Sequence, residues 1–179
     1  ETADMADAAA KIAASKTFDN ATSCSSENAV IAVDAVYGEL VTALAAEGGY
    51  CLDAAQTAHL EGIHWHSGKL TSKLLAKDID VVLAETGFAG TASDNTSFLV
   101  APQEEFGPDH PMTGEKMSRF LALHRAGDFD EAMEKAVAIQ NHMGAGHSLS
   151  LHSADAGRAR RLAMKARTCR VIVNQAHCF

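Results

Sequence analysis

Phe18-Asp19-Asn20-Ala21-Thr22-Ser23-Cys24-Ser25-Ser26-Glu27-Asn28 runs directly into Ala29-Val30-Ile31-Ala32-Val33, a polar turn of small residues followed by a β-branched run. A cysteine that only fills space sits among apolar side chains. One bracketed by Ser23, Ser25 and Ser26 is open to solvent and to oriented backbone N–H groups, which is where a thiol becomes reactive. Ahead of the turn, Met5, Ala8, Ile12 and Ala13 recur at helical spacing through about Ser15, with Thr2 or Asp4 able to cap the start. Behind it, 29–33 is short, apolar and bounded by polar residues, as a buried strand is. Helical spacing then returns over 37–47 until Gly48-Gly49. Helix, turn, strand and helix around one thiol indicate an α/β layer structure.

The alternation continues outward. The spacing predicts helices over 53–63, with Asp53 as N-cap, and over 72–85, with Gly87 and Gly90 marking the exit. Strands are expected over 97–101, 120–124, 147–151 and 170–173. Helices are expected over 130–141, led in by Gly127-Asp128, and over 155–166. Strands alternating with helices of ten or more residues favour a mainly parallel sheet with helices on both faces. Pro102, Pro108 and Pro111 fall close together and predict a shaped loop, because proline fixes φ and removes a backbone donor. No tandem repeat or internal linker interrupts the chain.

The 179 residues, 47% of them hydrophobic, suffice for one core without disulfide support. A net charge of −8 with dispersed basic residues argues against a nucleic-acid role. The cluster Arg158, Arg160 and Arg161 reads as a solvated helix face. Cys24, Cys51, Cys169 and Cys178 have neither CxxC spacing nor a secreted-domain framework, so reduced thiols in a cytoplasmic protein are expected. No apolar run approaches the roughly 20 residues that span a bilayer, and no membrane role is expected. The first residues, Glu1-Thr2-Ala3-Asp4, lack an initiator Met and lead straight into a helix, as an internal piece of a longer protein would.

Phe18, Asn20 and Cys24 resemble, in type and spacing, the surroundings of the nucleophilic cysteine in the aldehyde dehydrogenase superfamily. Glu104-Glu105-Phe106-Gly107-Pro108 resembles that family's Glu-x-Phe-Gly-Pro loop. The segment 146–153 resembles its glycine-led strand, and Arg170-Val171-Ile172-Val173-Asn174 its late strand ending in Asn. The four matches occur in the family's order and cover essentially the whole chain. Asp109-His110-Pro111 and Glu115-Lys116-Met117-Ser118 are most similar to the coenzyme-A-acylating branch, including sulfoacetaldehyde dehydrogenases and the aldehyde half of bifunctional alcohol/aldehyde enzymes. Ala21-Thr22 stands where hydrolytic members commonly carry Gly-Gln.

The resemblance implies that residues 1–179 form the cysteine-bearing catalytic domain, with the dinucleotide-binding domain mostly upstream. It implies Cys24 as nucleophile toward a short aldehyde, NAD or NADP as hydride acceptor, and coenzyme A as acyl acceptor. Asn20 would order the cysteine turn through local backbone hydrogen bonds. Glu104 would meet the nicotinamide ribose hydroxyls and Phe106 would lie beside the nicotinamide. The family's dimers and tetramers imply a homo-oligomer. Two other readings stay open: a hydrolytic enzyme, decided by a glutamate position upstream of Glu1, and a catalytically silent assembly module.

The remaining candidates have plainer readings. His64-Trp65-His66 suggests a metal only if it is a strand, and a helical placement with no ligand nearby leaves no metal site expected. His110 beside the proline loop is a candidate coenzyme or substrate contact, whereas Glu105 reads as solvated. His142, His147 and His152 are scattered. Gly144-Ala145-Gly146 is too short for a phosphate cradle.

Overall fold

The computed structural model describes residues 2–179. In chain order the elements are α1 (Met5–Thr17), β1 (Ala29–Val33), α2 (Asp34–Ala46), β2 (Gly49–Cys51), α3 (Ala54–His64), β3 (Trp65–His66), β4 (Lys69–Leu70), α4 (Ile79–Thr86) and β5 (Phe98–Gln103). They continue with β6 (Phe120–Ala126), α5 (Phe129–His142), β7 (Ser148–Leu151), α6 (Ala156–Lys165) and β8 (Arg170–Val173). β1, β6, β5 and β2 form one sheet in that order, with every pair parallel. β7 and β8 form a second parallel pair, and β3 and β4 a small antiparallel hairpin.

Strand alternation sorts the core into two layers. Phe98, Val100, Leu121 and Leu123 face α1 and α2, while Leu99, Ala101, Phe120 and Ala122 face Leu60, Val82 and Leu83 of α3 and α4. β5 and β6 are therefore apolar on both faces, as expected of central strands in a helix-covered parallel sheet. A smaller cluster of Phe129, Met133 and Leu162 lies between α5 and α6, against Leu149, Leu151 and Val171 of the second pair. Capping follows the sequence: Asp53 and Gln56 close a reciprocal capping box on α3, and Asp4, Asp128 and Asp155 cap α1, α5 and α6.

Four expectations change. The helix expected over 72–85 forms only from Ile79. Ahead of it Leu74 is fully buried in a turn, and Ala76, at φ 57°, donates its N–H to Met117 O at 3.0 Å. Gly48-Gly49 does more than end a helix, because Gly49 opens β2. A Cβ there would sit 2.8 Å from Leu44 O and 2.9 Å from the Phe98 ring, so the strand can pair only as glycine. Pro102 lies inside β5, but β2 pairs no further than Val100, so its missing donor faces no strand. His64 ends α3 and Trp65–His66 is a strand, so the helical placement expected for all three is also corrected.

Candidate active site

Cys24 is exposed in the loop between α1 and β1, and that loop is held from several sides. Ahead of it Asp19, Asn20 and Ala21 all take the left-handed conformation, at φ 48°, 52° and 59°. The left-handed region costs L-residues roughly 1–2 kcal/mol each, so the run is kept by what surrounds it. Thr22 closes the turn by donating its hydroxyl to Asp19 O at 2.7 Å. Asn20 does not bond to the local backbone as expected. Its Oδ1 accepts from Arg119 Nε at 2.7 Å and its Nδ2 donates to Asp78 Oδ1 at 3.0 Å, tying the turn to the residue that leads into β6 and to the cap of α4. Arg119 is thus one end of a long-range tie.

Beyond Cys24, Ser26 N–H donates to Ser23 O at 2.9 Å, and Arg170 Nη2 reaches in from β8 to donate to Ser25 Oγ at 2.6 Å. Asn28 Oδ1 accepts from Lys116 N–H at 2.9 Å. Beneath the turn Lys16 is fully buried and donates Nζ to Glu27 O at 3.0 Å and Ser26 Oγ at 3.4 Å. Burial pushes the Lys16 ammonium down to about 8, against the pull of Glu27 and Cys178. Burial likewise pushes the Glu27 carboxyl up to about 7, against hydrogen bonds from Ser15 and from the backbone N–H groups of Glu27 and His177, and the charge of Lys16.

The turn opens on a cavity of about 550 Å³. Thr113, His147, Ser148 and His177 share its lining with Cys24 and Glu27. Ser148 Oγ lies 2.7 Å from His147 Nδ1 and 2.8 Å from His177 Nε2, a hydroxyl held between two imidazoles. Burial, with the charge of Arg170 second, lowers His177 to about 4, so its ring is neutral near pH 7. These histidines lie in separate segments of the chain, and no local pattern in the sequence brings them together.

Glu104 and Phe106 follow β5 on one loop. Glu104 is exposed, and the Phe106 ring meets His124 edge-on with centroids 6.2 Å apart. Gly107, at φ 130°, turns the loop, and its N–H donates to Thr113 Oγ1 at 2.8 Å, so the loop is anchored on a residue that also lines the Cys24 cavity. Neither Glu104 nor Phe106 lines that cavity itself. Glu105, read as solvated, lies 3.1 Å from His110 Nε2. Lys116, fully buried further along, donates Nζ to Met112 O at 2.6 Å and Gly114 O at 3.0 Å, and burial holds it well below the usual ammonium range.

His64 is buried with Nε2 2.7 Å from Lys116 O, while His66 is exposed. Among the described residues no three His, Cys, Asp or Glu side chains are grouped to hold a metal, and no helix is long and apolar enough to cross a membrane. Cys51 and Cys169 are exposed and Cys178 half-buried, all unbridged.

No family model matches the chain. It is 44% identical over 177 residues to sulfoacetaldehyde dehydrogenase (acylating) of Cupriavidus necator, covering 99% of this chain and 36% of that one. The crystal structure of an acetylating aldehyde dehydrogenase from Geobacillus thermoglucosidasius superposes with a TM-score of 0.94 at 28% identity, over 100% of this chain and 39% of that one. The chain is a homologue of the acylating aldehyde dehydrogenases. It is also 31% identical over 177 residues to the bifunctional aldehyde-alcohol dehydrogenase of Escherichia coli K12, covering 97% of this chain and 20% of that enzyme. This acylating aldehyde dehydrogenase homologue thus spans about a third of its Cupriavidus relative and a fifth of its Escherichia one. The parallel sheet and its two helical layers are those of the family's structures.

Proposed function

We propose that residues 1–179 are the cysteine-bearing catalytic domain of a coenzyme-A-acylating aldehyde dehydrogenase whose dinucleotide-binding domain lies mostly upstream. The observation that carries this reading is the 44% identity, over nearly the whole chain, to an enzyme named for acylation. The acylating reading is preferred over hydrolysis and over a silent module for that reason.

In this reading the Cys24 thiolate adds to the aldehyde carbon, forming a C–S bond while the carbonyl π electrons move to oxygen. Backbone N–H groups of the turn stabilise that oxyanion, a contribution of about 3 kcal/mol per donor in comparable sites. Collapse of the alkoxide expels hydride and leaves a thioester on Cys24. When bound, the nicotinamide dinucleotide supplies the hydride acceptor. An exposed carboxylate at Glu104 and a half-buried ring at Phe106, on one glycine-turned loop, suit ribose hydroxyls and a nicotinamide face. Asn20 keeps the turn in place through Arg119 and Asp78. The thiolate of coenzyme A then attacks the acyl carbon, the C–S bond to Cys24 breaks, and Cys24 leaves as thiolate. The substrate is a short aldehyde, with the sulfonated one favoured by the Cupriavidus relative. NAD and NADP both remain candidates. The protein is a cytoplasmic homodimer or homotetramer.

The test is acyl-coenzyme-A formation by the full-length protein with a panel of short aldehydes, NAD or NADP, and coenzyme A present or omitted. Thioester that requires coenzyme A and disappears in Cys24→Ala is the expected result. Free acid formed without coenzyme A moves the protein to the hydrolytic branch, and no product from any aldehyde leaves the silent module.

A further inference from the structure

The sulfonated aldehyde favoured as substrate carries a fixed negative charge, separated from its carbonyl carbon by a single methylene. Once that carbon bonds to Cys24 Sγ, the sulfonate lies in the immediate surroundings of the nucleophile. An anion that gives up water there needs hydrogen-bond donors and positive charge in its place.

β7 and β8 bring such groups together. Ser148 and Arg170 open the two strands as register partners, so their side chains stand side by side on one face of the pair. From there Arg170 extends to the residue after the nucleophile, where its Nη2 donates to Ser25 Oγ at 2.6 Å. Ser148 Oγ meets His147 Nδ1 at 2.7 Å and His177 Nε2 at 2.8 Å. The loop after β8 returns His177 to this corner, because Cys178 N–H donates to Ser15 Oγ at 3.1 Å beneath the cysteine turn. Ser25, His147, Ser148 and His177 all line the cavity that Cys24 lines.

Donors are left over at this corner. Ser25 Oγ accepts from Arg170, and its own hydrogen has no acceptor among the described residues. In the tautomers that let both imidazoles donate to its lone pairs, the Ser148 hydroxyl hydrogen is equally unused. The Arg170 guanidinium is a fork of N–H donors, and Ser25 is its only hydrogen-bond partner among the described residues. The charges around His177 are of one sign: after burial, the groups that disfavour its proton are Arg170, His147 and His152, and no carboxylate opposes them. Two carboxyl groups line the cavity. Burial pushes Glu27 up to about 7, and Glu115 is exposed, where water screens it. Coenzyme A phosphates do not suit the corner, since the pantetheine arm holds them far from a thiol that reaches Cys24.

We propose that Ser25, Ser148 and His177 form an anion-recognising wall of the aldehyde site, with Arg170 a positioning residue that acts through Ser25, and that this wall selects a short aldehyde bearing a sulfonate one methylene from its carbonyl. The role rests on the acylating reading of the chain. Ser25 and Ser148 donate their free hydroxyl hydrogens to the sulfonate oxygens, while His177 and Arg170 supply the positive side of the corner.

Two measurements on the full-length protein test it. In acyl-coenzyme-A formation, sulfoacetaldehyde is compared with propionaldehyde, a neutral aldehyde of similar length, for the unaltered protein and for Ser148→Ala, His177→Ala and Arg170→Leu. The ratio of the two kcat/KM values should favour sulfoacetaldehyde and fall on the order of 10-fold in each variant, the hydrogen bonds lost being to a charged group, with the change carried by KM for sulfoacetaldehyde. A ratio that the variants leave unchanged, as when both aldehydes lose equally, overturns the proposal. The second measurement needs no turnover. Ethanesulfonate or neutral 1-propanol is present while the unaltered protein is alkylated, and labelling of Cys24 is followed by mass spectrometry against the exposed Cys51. Ethanesulfonate, and not propanol, should slow labelling of Cys24 and leave Cys51 unaffected. Equal effects of the two compounds, or none from either, overturn the wall even where the variants do not fold. If no aldehyde yields a thioester, the acylating reading fails by itself, and the protection of Cys24 still decides whether the anion site exists.

Discussion

β6 and β7 begin from similar material, Phe120-Leu121-Ala122-Leu123 and Ser148-Leu149-Ser150-Leu151, and end in different surroundings. Phe120 to Leu123 are wholly buried between two strands and two helical layers, whereas every residue of β7 is half-buried with one strand for a neighbour. A strand's contribution depends on how many sides are covered. The first sheet carries the larger buried core, and the seam between the two sheets holds the cavity that Cys24 lines.

Paired truncations break or confirm this contrast. Phe120→Ala should cost about 3–5 kcal/mol, while Leu149→Ala should cost about 1 kcal/mol because the site is already half-exposed. Urea unfolding of both variants measures the difference, and equal losses would mean that the two sheets share one core. Next in size, Lys16→Met removes the buried donor to Glu27 O and Ser26 Oγ and should cost about 2–3 kcal/mol. Adding Glu27→Gln should recover part of that loss.

Acid sharpens the same contrast. Burial, as the first cause in each, lowers His64, His124 and His177 from 6.5 to about 4. The unfolded chain therefore binds more protons between those values, and stability should fall as pH drops from about 6.5 to about 4. Glu27 acts in the opposite sense: its raised carboxyl contributes below its unfolded value of 4.5, and that contribution is lost as pH rises through about 7. His124 has no partner for either ring nitrogen, so His124→Leu should flatten the acid limb and add about 1 kcal/mol at neutral pH, read from urea midpoints across pH. The smallest effect is expected at the seam. Arg170→Leu should cost about 1 kcal/mol or less because the side chain is exposed, yet it should broaden the rate distribution of Cys24 alkylation by freeing Ser25.

Local chemistry was legible in the sequence wherever it decided the structure. Ala29–Val33 and Arg170–Val173 were readable as strands because β-branched runs stand between polar neighbours, and Asp53 was readable as a cap because Gln56 stands three residues on. Leu74 misled, since an apolar residue at helical spacing is the same signal whether it packs in a helix or a turn. Nothing in the sequence marks Lys16 and Glu27 as buried, and it is the closing of α1 onto β1 that buries them. Asn20 was placed in the right turn but given local partners, because nothing in the sequence indicates that its partners are Asp78 and Arg119.

That last feature bears on how the protein is made. The ties that shape the Cys24 turn come from Lys116, Arg119 and Arg170, and the last of these crosses 145 positions of chain. At roughly 5–20 residues per second on the ribosome, Arg170 follows Ser25 by about 7–30 seconds. During that interval the thiol is an ordinary one on an unfinished chain. The full set of ties around the turn is among the last things assembled, so a nascent or truncated product carries Cys24 without the contacts that shape its loop.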